Sequence, residues 1–379
     1  MDVDDVENTF SKVLMKVNLL NCFRSNAIDI EQQVEVKTEE SAEEILQSGK
    51  KALNLCSNIQ DLTVVLHDHR LTSPFVSFLN SLWKADSIGP HLRTLRLHMT
   101  LSKLPIFLKP LLNSSVILHN LEAFSMDFAP SRFDVSPYRD HHKNAARDSY
   151  RALAPLRKFV WSLKYSLTAI SISTHNAYHF ATFLTDLPPH FPNLKKVEFF
   201  TIFSLAACQI GPLFQFLSEH SNQLEELTIK PYPRQTSFNH SDDSYATWVS
   251  DCAPNGFGTL VFPQLKIFDA GLREYPKTPP MRTNLNPNAK PLPNLGILAP
   301  NLRRLVMTDL ALSFERINDL VSTLGRGLES IEFVAIYLSP QLFDLLASKV
   351  PSLEMLAVEY KAISDMKNNF TENQNPSVS

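Results

Sequence analysis

The stretch Pro192-Asn193-Leu194-Lys195-Lys196-Val197-Glu198-Phe199 decides how this chain is read. Val197 and Phe199 flank a charged residue, which is the alternation of a short strand with one face buried and the other turned to water. Leu194, three residues earlier, turns the chain into that strand, and Pro192-Asn193 supplies a turn pair ahead of it. Working outward, the same Leu-x-x-Leu-x-Leu spacing returns at Leu92-Leu95-Leu97, Leu121-Phe124-Met126, Leu167-Ile170-Ile172 and Leu224-Leu227-Ile229. It continues at Leu265-Phe268-Ala270, Leu302-Leu305-Met307, Leu328-Ile331-Phe333 and Leu353-Leu356-Val358, with Ile59-Leu62-Val64 ahead of them all. A weaker pair, Val34-Glu-Val36, reads as an eleventh strand at the start.

The middle apolar residues stand at positions 34, 62, 95, 124, 170, 197, 227, 268, 305, 331 and 356. Most steps lie near the period of about 20 to 29 residues of leucine-rich repeats, with some longer members. Segments of helical spacing fill the gaps: Phe75, Phe78, Leu79 and Leu82; Ile317, Leu320, Val321 and Leu324; Leu345, Leu346 and Val350. Ser41-Ala-Glu-Glu44 reads as a capping box ahead of Ile45, Leu46 and Leu53. The expected fold is α/β, a leucine-rich-repeat solenoid of about ten irregular repeats with a concave parallel sheet and convex helices. A terminal unit has a face with no neighbour, and Val6, Phe10, Val13, Leu14, Val17 and Leu20 share one helical side that suits a cap. The expected organisation is a helical cap over 1–33, repeats over 34–363 and a disordered polar tail over 364–379.

These repeats, with leads such as Pro192-Asn193 and Pro300-Asn301, resemble those of the large fungal families of F-box-like proteins. The resemblance covers about Val34 to Val358. It implies a substrate-recognition subunit of a cullin-type ubiquitin ligase, with an F-box docked on the ligase adaptor and repeats holding the substrate. Residues 1 to 30 have neither the Leu-Pro opening nor the tryptophan-bearing close of an F-box.

Hydrophobic residues make up 44% of the chain and charged residues 20%, enough apolar content for a packed core and too much for a disordered chain. A formal net charge of -3, with basic clusters no longer than pairs such as Lys195-Lys196, argues against a nucleic-acid partner. Phe199 to Ser218 carries no charge over the length of a membrane span. Gly211-Pro212 interrupts it and the repeat explains it as strand then helix, so no membrane partner is expected. The acidic start Met1-Asp-Val-Asp-Asp-Val is unlike a signal peptide, and Cys22, Cys56, Cys208 and Cys252 read as buried free thiols. The expected setting is cytoplasmic or nuclear, where the glycosylation-type triplets at Asn113, Asn239 and Asn369 stay unmodified.

No catalytic motif in the chain is complete. With 9 glycines in the chain, Gly325-Arg-Gly327 and Gly256-Phe-Gly258 lack the third glycine of a phosphate loop. His141-His142 and His175-x-x-x-His179 read as surface histidines, and Asp242-Asp243 as solvated turn residues. No catalytic residue, metal or cofactor is expected.

The longest gaps carry insertions at about Ala129–Ser149, Pro231–Gly258 and Leu272–Leu292, each starting directly after a strand. All three are therefore expected at the edge where the strands end, a common binding site on repeat arrays. They hold Arg132, Tyr138, Arg139 and His141; Tyr232, Arg234 and Trp248; and Tyr275, Lys277 and Arg282, and of these Tyr, Trp and Arg are the types that dominate interface energetics. Outward strand positions add Arg96, Asp127, Glu198, Lys230, Asp269, Glu332 and Glu359, a mixed-charge face that grows acidic toward the C-terminus. The expected function is a non-catalytic protein–protein interaction module. Arg234, Trp248 and Tyr275 would anchor the protein partner, and Glu332 and Glu359 would steer a basic patch on it.

Overall fold

In a computed structural model, residues 16–17, 60–66, parts of 76–83, 91–113, 118–129, 142–185, 187, 190–203, 210–231, 256–271, 294–324 and 326–363 are described. Every leucine-patterned segment within them is a strand, because each alternating pair finds an identical pair one repeat away. The chain divides into two compact units, Met1–His220 with Arg234–Asn239, and Ser221–Pro233 with His240–Ser379.

In the first unit β1 (Lys16–Val17), β2 (Asp61–Leu66), β3 (Thr94–Met99), β4 (Ala123–Phe128), β5 (Ala169–Thr174) and β6 (Lys196–Thr201) pair in parallel in chain order. The repeat motif sets the register, so Leu62, Leu95, Phe124, Ile170 and Val197 lie in one column, with Val64, Leu97, Met126, Ile172 and Phe199 in the next. All ten are buried. Helices α1 (Leu104–Asn113), α2 (His142–Ser162), α3 (Ala177–Thr185) and α4 (Ile210–His220) follow β3 to β6 in turn. They cover those columns: the Phe124 ring meets Phe159 of α2 edge-on at 5.6 Å, and Phe199 meets Phe180 of α3 at 5.1 Å and Phe216 of α4 at 5.6 Å.

The second unit repeats the plan with β7 (Glu226–Pro231), β8 (Ile267–Ala270), β9 (Arg304–Leu312), β10 (Ser330–Leu338) and β11 (Met355–Ile363), parallel in chain order. Leu227, Phe268, Leu305, Ile331 and Leu356 form its column. Helix α5 (Leu295–Leu298) precedes β9, while α6 (Phe314–Thr323) and α7 (Pro340–Lys349) follow β9 and β10. Asn294 caps α5, its side chain accepting from Ile297 N at 3.2 Å. Gly296 is required there by close approach, since a Cβ would collide with the backbone carbonyl of Thr323 at the end of α6.

Within each unit the repeats are also joined at the lead into each strand. One carbonyl accepts from two successive N–H groups of the next repeat: Arg93 O from Glu122 and Ala123, Glu122 O from Thr168 and Ala169, and Arg303 O from Glu329 and Ser330. The Asn of the Pro-Asn lead adds a side-chain tie, with Asn193 Nδ2 donating to Tyr165 O at 2.6 Å and Asn301 Nδ2 to Pro263 O at 2.8 Å.

Two expectations are corrected. Lys16–Val17, inside the expected N-terminal helix, is extended and pairs with Thr63 and Val64, because the edge of β2 offers backbone groups that an incoming strand can satisfy. The insertion at Ala129–Ser149 is not all loop, since α2 begins at His142. The helix runs on to Ser162, where Leu153, Leu156, Phe159 and Val160 follow helical spacing and are buried, so its second half joins the core. The weak strand at Val34-Glu-Val36, the capping box at Ser41 and the polar tail lie outside the described residues.

Candidate partner-binding face

The strand face turned away from the helices is built by the residues between the inward ones. In the first unit, Thr63, Arg96, Ser125, Ser171 and Glu198 stand side by side across β2 to β6, and Val65, His98, Asp127, Ser173 and Phe200 form the row beyond. β4 and β5 contribute mainly short side chains, Ala123, Ser125, Ala169, Ser171 and Ser173, all half-buried. On one side stand Arg96, which is exposed, and His98; on the other stand Lys196, Glu198 and Phe200. With strands about 4.8 Å apart, β3 and β6 are about 14 Å apart, which leaves a shallow trough with a floor of small residues and walls that carry charge.

The trough is ordered by polar pairs. His98 Nδ1 lies 2.7 Å from Asp127 Oδ2 of β4, and Lys196 Nζ lies 3.0 Å from Glu198 Oε1. Glu198 is therefore half-buried against its neighbour, and Thr228 and Glu332 are likewise half-buried at their outward positions. In the second unit Lys230 and Asp269 pair with each other at 2.6 Å, and Glu332 lies 3.8 Å from Arg304. The expected acidic trend is thus corrected. Val306 and Ala357 stand either side of Glu332 in its row, Arg304 offsets its charge, and Glu359 on β11 is the exposed carboxylate of that face among the described residues.

Of the anchor residues expected from sequence, Arg234, Trp248 and Tyr275 lie outside the described residues, as do Arg132, Tyr138, Arg139, Tyr232, Lys277 and Arg282. Arg96, Glu198, Lys230, Asp269, Glu332 and Glu359 all fall on outward strand positions, divided between the units. Ser125, Ser171 and Ser173 carry no charge and so offer no signal of their own, although Ser125 and Ser171 each stand between two inward apolar residues and Ser173 between inward Ile172 and Thr174.

The histidines divide differently from expectation. His175 stands at the bend after β5, its Nδ1 3.3 Å from Phe128 O, but His179 is buried in α3, its ring 5.7 Å from Phe128 and 6.4 Å from His175. It faces the core because its neighbours Phe180 and Phe183 pack there, so the surface reading of His179 is corrected. His220, which the sequence did not single out, is fully buried at the end of α4. Its Nδ1–H donates to Phe216 O at 2.7 Å and its Nε2 accepts from Phe191 N–H at 3.0 Å, which requires the neutral ring. Desolvation by burial holds its pKa below the ordinary histidine value, opposed by the Phe216 carbonyl. This ring ties α4 to the lead of β6 and is a structural histidine. A shallow cleft between α3 and α4, lined by Leu184, Leu187, Pro212, Gln215, Phe216 and Glu219, includes none of the residues expected from sequence.

Parallel strands in strict chain order, joined by helices and built on one Leu-x-x-Leu-x-Leu motif, give each unit the α/β fold of leucine-rich repeats. No protein-family model matches the sequence, and no curated protein does either. Among solved structures, a chain of the crystal structure of the Rad7 and Elc1 complex in yeast is similar at 11% sequence identity with a TM-score of 0.37. The match covers 89% of this chain and 87% of that one. Among the described residues no helix is long and apolar enough to cross a membrane.

Proposed function

We propose that the chain is a non-catalytic protein-interaction module that receives a segment of a partner protein on the outward face of β3 to β6. The observation that carries this reading is the trough itself. Ser125, Ser171 and Ser173 present hydroxyls on a low floor, while Arg96 on one side and Lys196 and Glu198 on the other supply charges of both signs. Small floor residues leave room for side chains from the partner, and walls of mixed sign reward one orientation of it over the reverse.

The test compares affinity capture by the full chain with capture by Ser171→Arg, which fills the floor from an outward position. The expected result is a partner retained by the parent and lost by a variant whose unfolding midpoint is unchanged. Equal retention by both would remove the trough from the reading. Adaptor of a cullin-type ligase retained by both, and lost on deleting residues 1–33, would favour a substrate receptor instead.

A further inference from the structure

Strand β11 of the second unit has a strand beside it on one edge only among the described residues. That strand is β10, paired at a constant register from Ser330↔Met355 to Leu338↔Ile363. Met355 N–H donates to Glu329 O, so the backbone groups of Met355, Ala357, Glu359, Lys361 and Ile363 turn toward β10. Those of Leu356, Val358, Tyr360 and Ala362 turn the other way, a row of donors and acceptors of the kind that templates another strand. The side chains agree with an open edge. Leu353, Leu356 and Val358 are half-covered, whereas their counterparts Leu328, Ile331 and Phe333 one repeat earlier are each 1% exposed. Met355, Tyr360 and Ile363 are 60%, 46% and 65% exposed.

We infer that this edge pairs antiparallel with the β11 edge of a second copy, with Tyr360 on the two-fold axis. The register follows from charge. In an antiparallel pair between identical edges, the outward-turned backbones must meet each other, so even-numbered residues oppose even-numbered ones. Three registers keep the strands well overlapped, those centred on Val358, Glu359 and Tyr360. Centring on Glu359 sets two carboxylates face to face, and centring on Val358 opposes Glu359 to Ala357 and Lys361 to Met355, so that neither charge gains a partner. Centring on Tyr360 opposes Glu359 with Lys361 of the second copy, and Lys361 with its Glu359. These are non-hydrogen-bonded positions, where side chains stand closest. The same register opposes Val358 to Ala362 and joins the half-covered inner faces of the two terminal repeats. Lysine on an edge strand ordinarily keeps other strands away; here it becomes half of an ion pair in this register alone. A strand edge buries less surface than a permanent dimer, so the pair is expected to depend on concentration and to weaken with salt.

The experiment is sedimentation equilibrium of the full chain over a wide range of concentration. The expected result is a shift from one chain mass to two. Glu359→Lys alone and Lys361→Glu alone are each expected to weaken the dimer by about tenfold or more, since each sets like charges opposite twice. Mixing these two variants restores opposition of unlike charges at every position and should restore the dimer as a heterodimer. Tyr360→Pro removes an outward N–H that β10 does not use, so it should abolish the dimer while the monomer keeps its unfolding midpoint. A parent chain that stays monomeric at its solubility limit overturns the inference. If that monomer dimerises once residues 364–379 are removed, the chain's own tail holds the edge and the second copy is excluded as its occupant. A dimer indifferent to all three substitutions, or no recovery on mixing, also overturns it.

Discussion

Leu305 and Leu356 occupy the same column of the second unit and the same place in the repeat, yet Leu305 is fully buried and Leu356 is half-covered. The motif around them is equally complete, Leu302-x-x-Leu305-x-Met307 and Leu353-x-x-Leu356-x-Val358. Leu305 has β8 on one side and β10 on the other, whereas β11 has only β10 among the described residues. The repeat therefore determines which way a side chain points, and the neighbouring repeat determines what that direction is worth.

The largest expected effect tests that difference directly. Leu305→Asp forfeits about 1.5 to 3 kcal/mol of apolar burial and strands a carboxylate in the core, for a total loss above about 4 kcal/mol. Leu356→Asp, whose carboxylate can reach water, should cost less than half as much. Chemical denaturation of both variants measures it, and equal losses would mean that Leu356 is as well covered as Leu305.

A smaller effect concerns how repeats are tied. Three residues before the leading leucine, Phe191 N–H reaches forward to His220 at the end of α4, whereas Val350 N–H in the last repeat bonds back to Leu346 of its own helix. His220→Leu should cost about 1 to 3 kcal/mol by leaving the Phe191 N–H unsatisfied. The tie also carries a pH dependence. Because burial lowers the folded pKa of His220, only the unfolded chain takes up this proton as pH first falls below about 6.5. The tie's contribution is therefore complete above that value and is lost as pH drops toward the lowered folded value. His190, stacked at 5.6 Å, lowers the His220 pKa further, while Glu219 raises it. Urea midpoints of parent and variant should converge as pH falls through this window, and a constant gap would contradict the neutral ring.

The smallest effect belongs to the exposed leads. Glu329→Gln breaks the pair with Arg303, 3.1 Å apart at side chains 61% and 44% exposed, and should change stability by about 0.5 kcal/mol or less. Asn301→Ala, which removes the tie to Pro263 O, should cost about 1 kcal/mol. If the ion pair outweighed the asparagine tie, charge pairing rather than hydrogen bonding would be joining these repeats.

Strands β2 to β11 and the face each of their residues occupies are legible in the motif, because alternation with a period of two is a local property. Val197, Leu227, Leu305 and Ile331 are buried where the motif puts them. The sequence likewise placed Arg96, Glu198, Lys230, Asp269, Glu332 and Glu359 outward, since a residue between two inward ones has no other direction. Tertiary structure decided what those residues meet. Lys230 and Asp269, and Arg304 and Glu332, pair across neighbouring strands, and no local rule sets the distance between residues that far apart in the chain. It also decided that a long gap after β4 holds the core helix α2, that His179 faces inward, and that His220 accepts from Phe191. Each of these depends on packing between repeats, where burial and desolvation are shared by residues from different turns of the chain.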